Sequence, residues 1–424
     1  MGELWSEVEG APRERIEALQ WGRLKALIGW AVERVPFYRE RFSQLGLSPE
    51  KIQTLDDLQL LPLTTKSDLR YHYPLGLCAL SLGEVRLFQA TSGRTGRPIL
   101  VPYGPKDLED WAECVARALW AAGIRPGDLC QNAYPYGLFT GGLGYHLGAE
   151  RLGCAVIPTS AGFTERQVVL LRDLGPKALF CTPSYALTIA EMAERLGVDL
   201  RALPLAIGHL GAEPFSDAMR QEIEERMGIE VYEMYGLAEM FGPGVAFSCE
   251  EGRLHINEDY FLPEVIDPVT EKVLPEGEEG ELVLTPLRQR ALPLLRYRTG
   301  DLTALERGRC TCGRTLVRMR RVRGRTDDML VVGGMNVFPS QVEEVLLRFR
   351  ELTPHYRIRL HRSPTGDVMT VEVEAEEVTE ALGRRVTEAL KEALGLEVPV
   401  KLLEPGSLPR SEGKVQRVLD ERGW

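Results

Sequence analysis

A handful of short stretches combine residue types suited to anions, and they recur in order between residues 90 and 417. The first is ATSGRTGRPILV, at 90–101. Thr91, Ser92 and Thr95 supply hydroxyl donors, while Gly93 and Gly96 let the backbone approach an anion and turn its N–H groups toward it. This composition suits a phosphate cradle, yet it is not the Walker loop G-x-x-x-x-G-K-[ST], because Arg97 and Pro98 follow Gly96. Taken alone it reads equally as a polar hairpin turn. Gly211, Ala212, Glu213 and Pro214 follow an apolar run. Glu233, Met234, Tyr235, Gly236 and Glu239 follow another, in the form aromatic-Gly-x-x-Glu. RYRTGD ends on Asp301, GRTDDML sets Arg325 beside Asp327, and SLPRSEGKVQR holds Lys414 in a glycine-flanked loop. Each is weak alone; the order and spacing carry the signal.

The cysteines point to a second chemistry. Eight of them without a secretory signal argue against a disulfide framework. Cys78, Cys114, Cys130, Cys154 and Cys181 stand singly in apolar or mixed segments and read as core residues. Cys249 and His255 share CEEGRLH, and Cys310 and Cys312 form CTCG. Three thiolates and an imidazole make a closed, tetrahedral, structural zinc site that would tie the 249–255 loop to the 310–312 hairpin. No position stays open for catalysis. The Cys-x-Cys gap is tighter than usual, so unrelated cysteines remain the alternative.

These residues need elements to position them. Residues 13–33 have the period of an amphipathic helix, with Ile16, Leu24, Leu27, Ile28 and Ala31 on one face. From about 85 to 235, short apolar runs alternate with helical ones, which predicts βα units and a largely parallel sheet whose ligands lie beyond the strands' carboxyl ends. After Asp301 the style changes. A strand at 329–332, a Gly-Gly turn, a helix from Pro339, the alternating VMTVEVEAE and a helix over 378–394 predict a small α+β domain. The fold class is therefore α/β. A large domain of mostly parallel sheets flanked by helices spans 1–324, and a small domain spans 325–424.

Net charge is −11, which disfavours nucleic-acid or membrane partners. No 18-residue apolar run exists, and the acidic N-terminus is no secretory signal. Gly2 and Ser6 fit an acylation pattern, but Glu3, Glu7 and Glu9 oppose membrane attachment. The expected location is cytoplasmic. Eight arginines between 307 and 325 read either as a solvated strand pair or as an anion-attracting face.

AYPYGLFTGGLGYHLGAERLGCAVIPTSAG, TPSYALTI, GAEPFSDAMR, YGLAEMFGPGVAFSC, LHINEDYFLPEVIDP and RTDDMLVVGGMNVFPSQVEEVL resemble the phenylacetate–coenzyme A ligases of the adenylate-forming enzymes. The resemblance covers nearly the whole chain. It implies that ATP and an acid give acyl-adenylate and pyrophosphate, after which coenzyme A thiol displaces AMP. It implies phosphates on the 91–96 loop, nucleotide contacts at 211–214 and Glu233, and adenine on Tyr235 beside Gly236. It further implies ribose hydroxyls on Asp301 and magnesium on Glu239, a hard ion on a carboxylate. Arg325 would accompany the nucleotide, Lys414 would meet developing charge on the α-phosphate, and Asp327 would be the hinge. A homodimer is also implied. Tyr134, Phe139, Met234 and Pro243 flank the motifs and suit a flat aryl acid. Arg94, Arg97, Gly333 and Glu233 depart from the family pattern. The two arginines keep positive charge near the phosphates, while Gly333 falls near where coenzyme A would approach. Another aryl acid, an acceptor other than coenzyme A, or a non-catalytic nucleotide-binding protein are the alternatives.

Overall fold

The computed structural model describes residues 3–91, 98–326, 329–332, 335–363, 366–410 and 416–422. Strands Leu129–Asn132, Ala155–Ile157, Ala178–Cys181, Ile207–Gly211 and Glu230–Tyr235 are joined by parallel pairings. Numbered in chain order they lie 2-1-3-4-5 across the sheet. The winding therefore reverses between the first and third, and ligands of open α/β sheets enter at such a switch point.

Alternation of side chains between two covered faces explains why strand Ala178–Cys181 is apolar and buried at every position. In Ala178–Cys181, Ala178 and Phe180 join one core with Cys114, Val115 and Tyr145, while Leu179 and Cys181 join a second with Val168, Ile189 and Ile223. Helices Pro105–Ala121 and Thr140–Leu152 cover the first face. Thr164–Leu174, Pro183–Arg195 and Asp217–Met227 cover the other. Thr140–Leu152 forms despite four glycines. A Cβ at Gly148 would lie 2.3 Å from Val115 Cγ1, and one at Gly144 2.5 Å from Trp111 Cζ2. The glycines lower helix propensity but allow close approach to Pro105–Ala121.

The parallel character ends with these five strands. Ala246–Ser248, Leu254–Ile256, Arg318–Met319 and Leu305–Glu306 extend the sheet antiparallel. A separate antiparallel sheet has the order Phe261–Ile266, Gly280–Pro286, Tyr297–Thr303, Gly324–Arg325. Helix Arg13–Arg34 buries the face its period predicts and stops at Val35, ahead of Pro36. The N-terminal segment is held by buried charges. Arg117 donates to Asp259 at 2.7 and 3.1 Å, and Arg314 donates to Glu9 at 2.7 Å.

The C-terminal part has its own core, including Val342, Ile358, Leu360, Val371, Val386 and Leu390. Its sheet runs Val400–Leu403, Gly366–Ala375, Leu352–Ser363, Val418–Asp420. Helices Pro339–Leu346 and Glu380–Leu394 pack with it. Gly324–Arg325 still pairs with the larger part, and the small core begins at Leu330. Among the described residues, no helix is long and apolar enough to cross a membrane.

His209 is fully buried against Tyr145, Phe180 and Tyr232, with Nδ1 2.9 Å from the Tyr145 hydroxyl. Burial pushes its pKa down from 6.5 to about 3. The unfolded chain then binds the extra proton more readily. The histidine's contribution is present above about pH 6.5 and lost as pH falls toward 3. Thermal melts from pH 7 to 4 should show a steeper acid loss in wild type than in His209→Asn; parallel curves would exclude this origin.

Candidate active site

Tyr235 ends the fifth parallel strand, and Asp301 lies within Tyr297–Thr303, where it pairs with Arg325. The Tyr235 hydroxyl donates to Asp301 Oδ2 at 2.6 Å, and Arg325 Nη1 donates to Oδ1 at 2.6 Å. Arg325 Nη2 donates to the Thr299 carbonyl at 3.0 Å. Gly300 has φ +80, and a Cβ there would meet Arg325 Nη2 at 3.0 Å. Glycine is required at this approach. Burial beside Asp301 pushes the Tyr235 phenol far up, so it stays a proton donor.

Glu239 is buried and accepts from the Tyr297 hydroxyl at 2.9 Å. Its loop is fixed by Gln289 on the Glu239 carbonyl (3.0 Å) and by Tyr103 on the Ala238 carbonyl (3.1 Å). A Cβ at Gly236 would come within 2.9 Å of Gly242 Cα. The 91–96 loop springs from the hairpin of Leu87–Ala90 and Leu100–Tyr103. Thr91 N donates to the Ile99 carbonyl, and Ile99 N to Thr91 Oγ1, both at 3.0 Å, closing the loop's neck. Ala90 N donates to the Leu138 carbonyl at 2.9 Å, setting that neck beside 134–139. Ser92, Gly93, Thr95 and Gly96 lie outside the described residues, as do Arg94, Arg97, Asp327, Gly333 and Lys414.

Glu213 accepts from Ser184 N at 2.8 Å and Ser184 Oγ at 2.5 Å, at the start of helix Pro183–Arg195. A carboxylate there is favoured by the helix dipole. Ala212 takes φ 72, and a Cβ at Gly211 would lie 2.2 Å from the Met234 carbonyl oxygen. The 211–214 backbone thus runs tight against the fifth strand. Glu233 N donates to Ser248 Oγ at 2.7 Å, and its carboxylate forms ion pairs with Arg321 (2.9 Å) and Arg220 (3.7 Å). Burial pushes Glu233 up, and the two guanidinium groups pull it back. Sequence reasoning missed Ser184, Tyr297, Arg220 and Arg321. Tyr297 stood in view within RYRTGD, and Ser184 follows Thr-Pro, a helix-start signal. Much of the arginine-rich stretch is paired internally: Arg314 with Glu9, Arg320 with Glu306, Arg321 with Asp217 and Glu233, Arg323 with Glu279, and Arg325 with Asp301.

Tyr134 and Phe139 come together, their rings 6.4 Å apart, and Tyr134 stacks on Tyr145 at 5.0 Å. Met234 is buried in the same core. The Pro243 carbonyl accepts from Trp111 Nε1 at 2.6 Å, and Pro243 lies against Gly144 of the adjoining helix.

Cys249, His255, Cys310 and Cys312 are all buried, with ligand atoms within 4.8 Å of one another. His255 Nδ1 lies 3.2 Å from the Leu316 carbonyl, which leaves Nε2 facing Cys312 at 3.5 Å. That bond selects the tautomer whose Nε2 lone pair can ligate a metal. The Cys249 thiol donating to Cys312 pushes Cys312 down and Cys249 up. The buried Arg314 guanidinium, held by Glu9 at 2.7 Å and with Nη1 3.7 Å from Glu250, also sits beside Cys312. A thiolate set would add a further anion beside this guanidinium. The donors fit zinc.

Residues 79–285 match the AMP-binding enzyme family, and 334–422 match the AMP-binding enzyme C-terminal domain. A phenylacetate–coenzyme A ligase of Thermus thermophilus is 49% identical over 98% of this chain and 99% of its own length. One from Escherichia coli (strain K12) is 45% identical over 98% and 97%. A 2-hydroxyisobutyryl-CoA ligase, 30% identical, superposes in its postadenylation state with TM-score 0.92, over 98% of this chain and 91% of that one. The same enzyme in its thioesterification state, with CoA bound, superposes at 0.74 over the same shares.

Proposed function

The chain belongs to the phenylacetate–coenzyme A ligase family of AMP-forming ligases, and we propose from that premise how its residues divide the work. Phenylacetate reacts with ATP to give phenylacetyl-adenylate and pyrophosphate, and the coenzyme A thiol then displaces AMP. The observation that carries the assignment is the Asp301 carboxylate, held by Tyr235 and Arg325 at the carboxyl edge of the sheet. Asp301 would take the ribose hydroxyls, the 211–214 backbone and Tyr235 the adenine, and Arg325 the sugar or phosphate. The 91–96 loop would hold the departing phosphates through N–H and hydroxyl donors. Glu239, oriented by Tyr297, would hold magnesium, which neutralises phosphate charge when bound. Tyr134 and Phe139, with Met234 and Pro243 behind them, would form the aryl pocket. Lys414 would meet the charge that develops on the α-phosphate. The small domain would begin at 325 and turn about Asp327.

Cys249, His255, Cys310 and Cys312 would hold a structural zinc, which supplies no chemistry to the reaction. Eight cysteines without a disulfide support a reducing, cytoplasmic location. Assembly as a homodimer rests on the resemblance alone.

Incubation with ATP, magnesium and a panel of aryl and fatty acids, with and without coenzyme A, tests the reaction. Phenylacetate should release AMP and yield thioester only when coenzyme A is present, and Lys414→Ala should slow adenylation by about 10²–10³. AMP without thioester would reassign the acceptor, and failure of every acid in the panel to support AMP formation would end the ligase reading. Metal analysis should find about one zinc per chain, and Cys310→Ser should lose it together with thermal stability. Zinc-free protein with an unchanged melting temperature in Cys310→Ser would reject the metal.

A further inference from the structure

The two domains meet through a small set of side chains. His355, in strand Leu352–Ser363, has Nε2 2.5 Å from Glu191 Oε1 on helix Pro183–Arg195. Arg410 Nε lies 3.5 Å from Glu191 Oε2. Arg410 is itself aligned by two 2.8 Å bonds to Glu374, a fully buried carboxylate of the small domain. Both oxygens of Glu191 therefore meet donors from across the interface. The side chains of Glu191 and His355 are only 17% and 12% exposed. Burial would raise the Glu191 pKa, but His355 and the charges of Arg410 and Arg226 hold it below the usual carboxylate range. Nearby, Ser216 N donates to Glu343 at 3.4 Å, and Leu347 packs on the second core.

Glu191 belongs to none of the nucleotide motifs or the aryl pocket. It does bear on where the small domain sits. The domain placement it bridges is the one this chain shares with the postadenylation form of the ligase relative, at TM-score 0.92, rather than with the thioesterification form at 0.74. Arg410 also stands four residues before Lys414 in the chain.

We propose that Glu191 is a positioning residue. By engaging His355 and Arg410 it holds the small domain in the orientation that serves adenylation, and its loss favours the orientation that serves thiol transfer. The inference rests on the ligase function above. A contact made in one orientation and absent in the other shifts their ratio by its own differential free energy and no more. It therefore acts on the balance of half-reactions and not on either chemical step.

Single-turnover kinetics on the full chain separate the two steps. Glu191→Gln should slow phenylacetyl-adenylate formation by about 5- to 20-fold. Thioester formation from preformed phenylacetyl-adenylate and coenzyme A should stay at the wild-type rate or rise. His355→Gln removes the same contact from the other domain and should give the same split, with the melting temperature of each variant close to wild type. Equal loss in both half-reactions, or an unchanged adenylation rate in both variants, would overturn the proposal. Wild-type protein that forms no AMP would sink the ligase function and the latch together, whereas normal wild-type turnover with an unaltered Glu191→Gln sinks the latch alone.

Discussion

Asp301 is the point on which the site's geometry depends, because three parts of the chain converge on one carboxylate. Tyr235 brings the last parallel strand of the large sheet to it, its own strand belongs to the antiparallel sheet, and Arg325 brings the chain on its way to the small domain. Hydrogen bonds to charged groups contribute about 1.5–3 kcal/mol each, and much of that is offset by desolvating a buried acid. The gain is orientation more than stability. It also sets a limit on motion. If Asp301 is to keep its aim while the small domain turns, the turn has to begin beyond Arg325, since Arg325 is paired into the fixed sheet.

A second set of buried charges steadies the face behind the site. Arg314 reaches Glu9, Glu9 lies 3.8 Å from Arg117, and Arg117 is paired with Asp259. Each charge has an opposite neighbour, the condition under which buried ions are tolerated. Strands Ala246–Ser248 and Leu254–Ile256, which lead to Cys249 and carry His255, extend the same sheet that contains Tyr235. The series thus runs from the thiol cluster to the helix Pro105–Ala121 and ties the N-terminal segment to both.

Much of this was legible because it is local. Helix Arg13–Arg34, the parallel strands Ala178–Cys181, Ile207–Gly211 and Glu230–Tyr235, and the small domain's two helices and strand Gly366–Ala375 follow from period and punctuation within single windows. The Cys/His set was legible because few side chains have such chemistry. What escaped depends on distant partners. Thr140–Leu152 carries four glycines that argue against a helix until Val115 and Trp111 are seen pressed against it. Glu233 was placed with the nucleotide contacts on its motif position, while its two arginine partners come from a helix and a loop that no spacing rule connects. The arginine-rich stretch looked like one feature, yet its members serve different carboxylates, including Glu9 some 305 residues away.

Under the proposed function, a division between fixed and removable charge would give the loop at 91–96 its logic. Its neck is closed by Thr91 and Ile99 on a hairpin of the large domain, so donors placed there stay with the sheet. A P-loop lysine would be equally fixed. A site that first stabilises a departing pyrophosphate and then admits a thiol has conflicting needs, because charge preorganised for the first event occupies space required by the second. On the proposed roles, hydroxyl and backbone donors would stay with the hairpin and the lysine would travel with the small domain, which separates the two. On that reading the domain would have to be held while adenylation proceeds. Contacts made away from the nucleotide, such as those of Glu191, can do that without touching the reacting atoms.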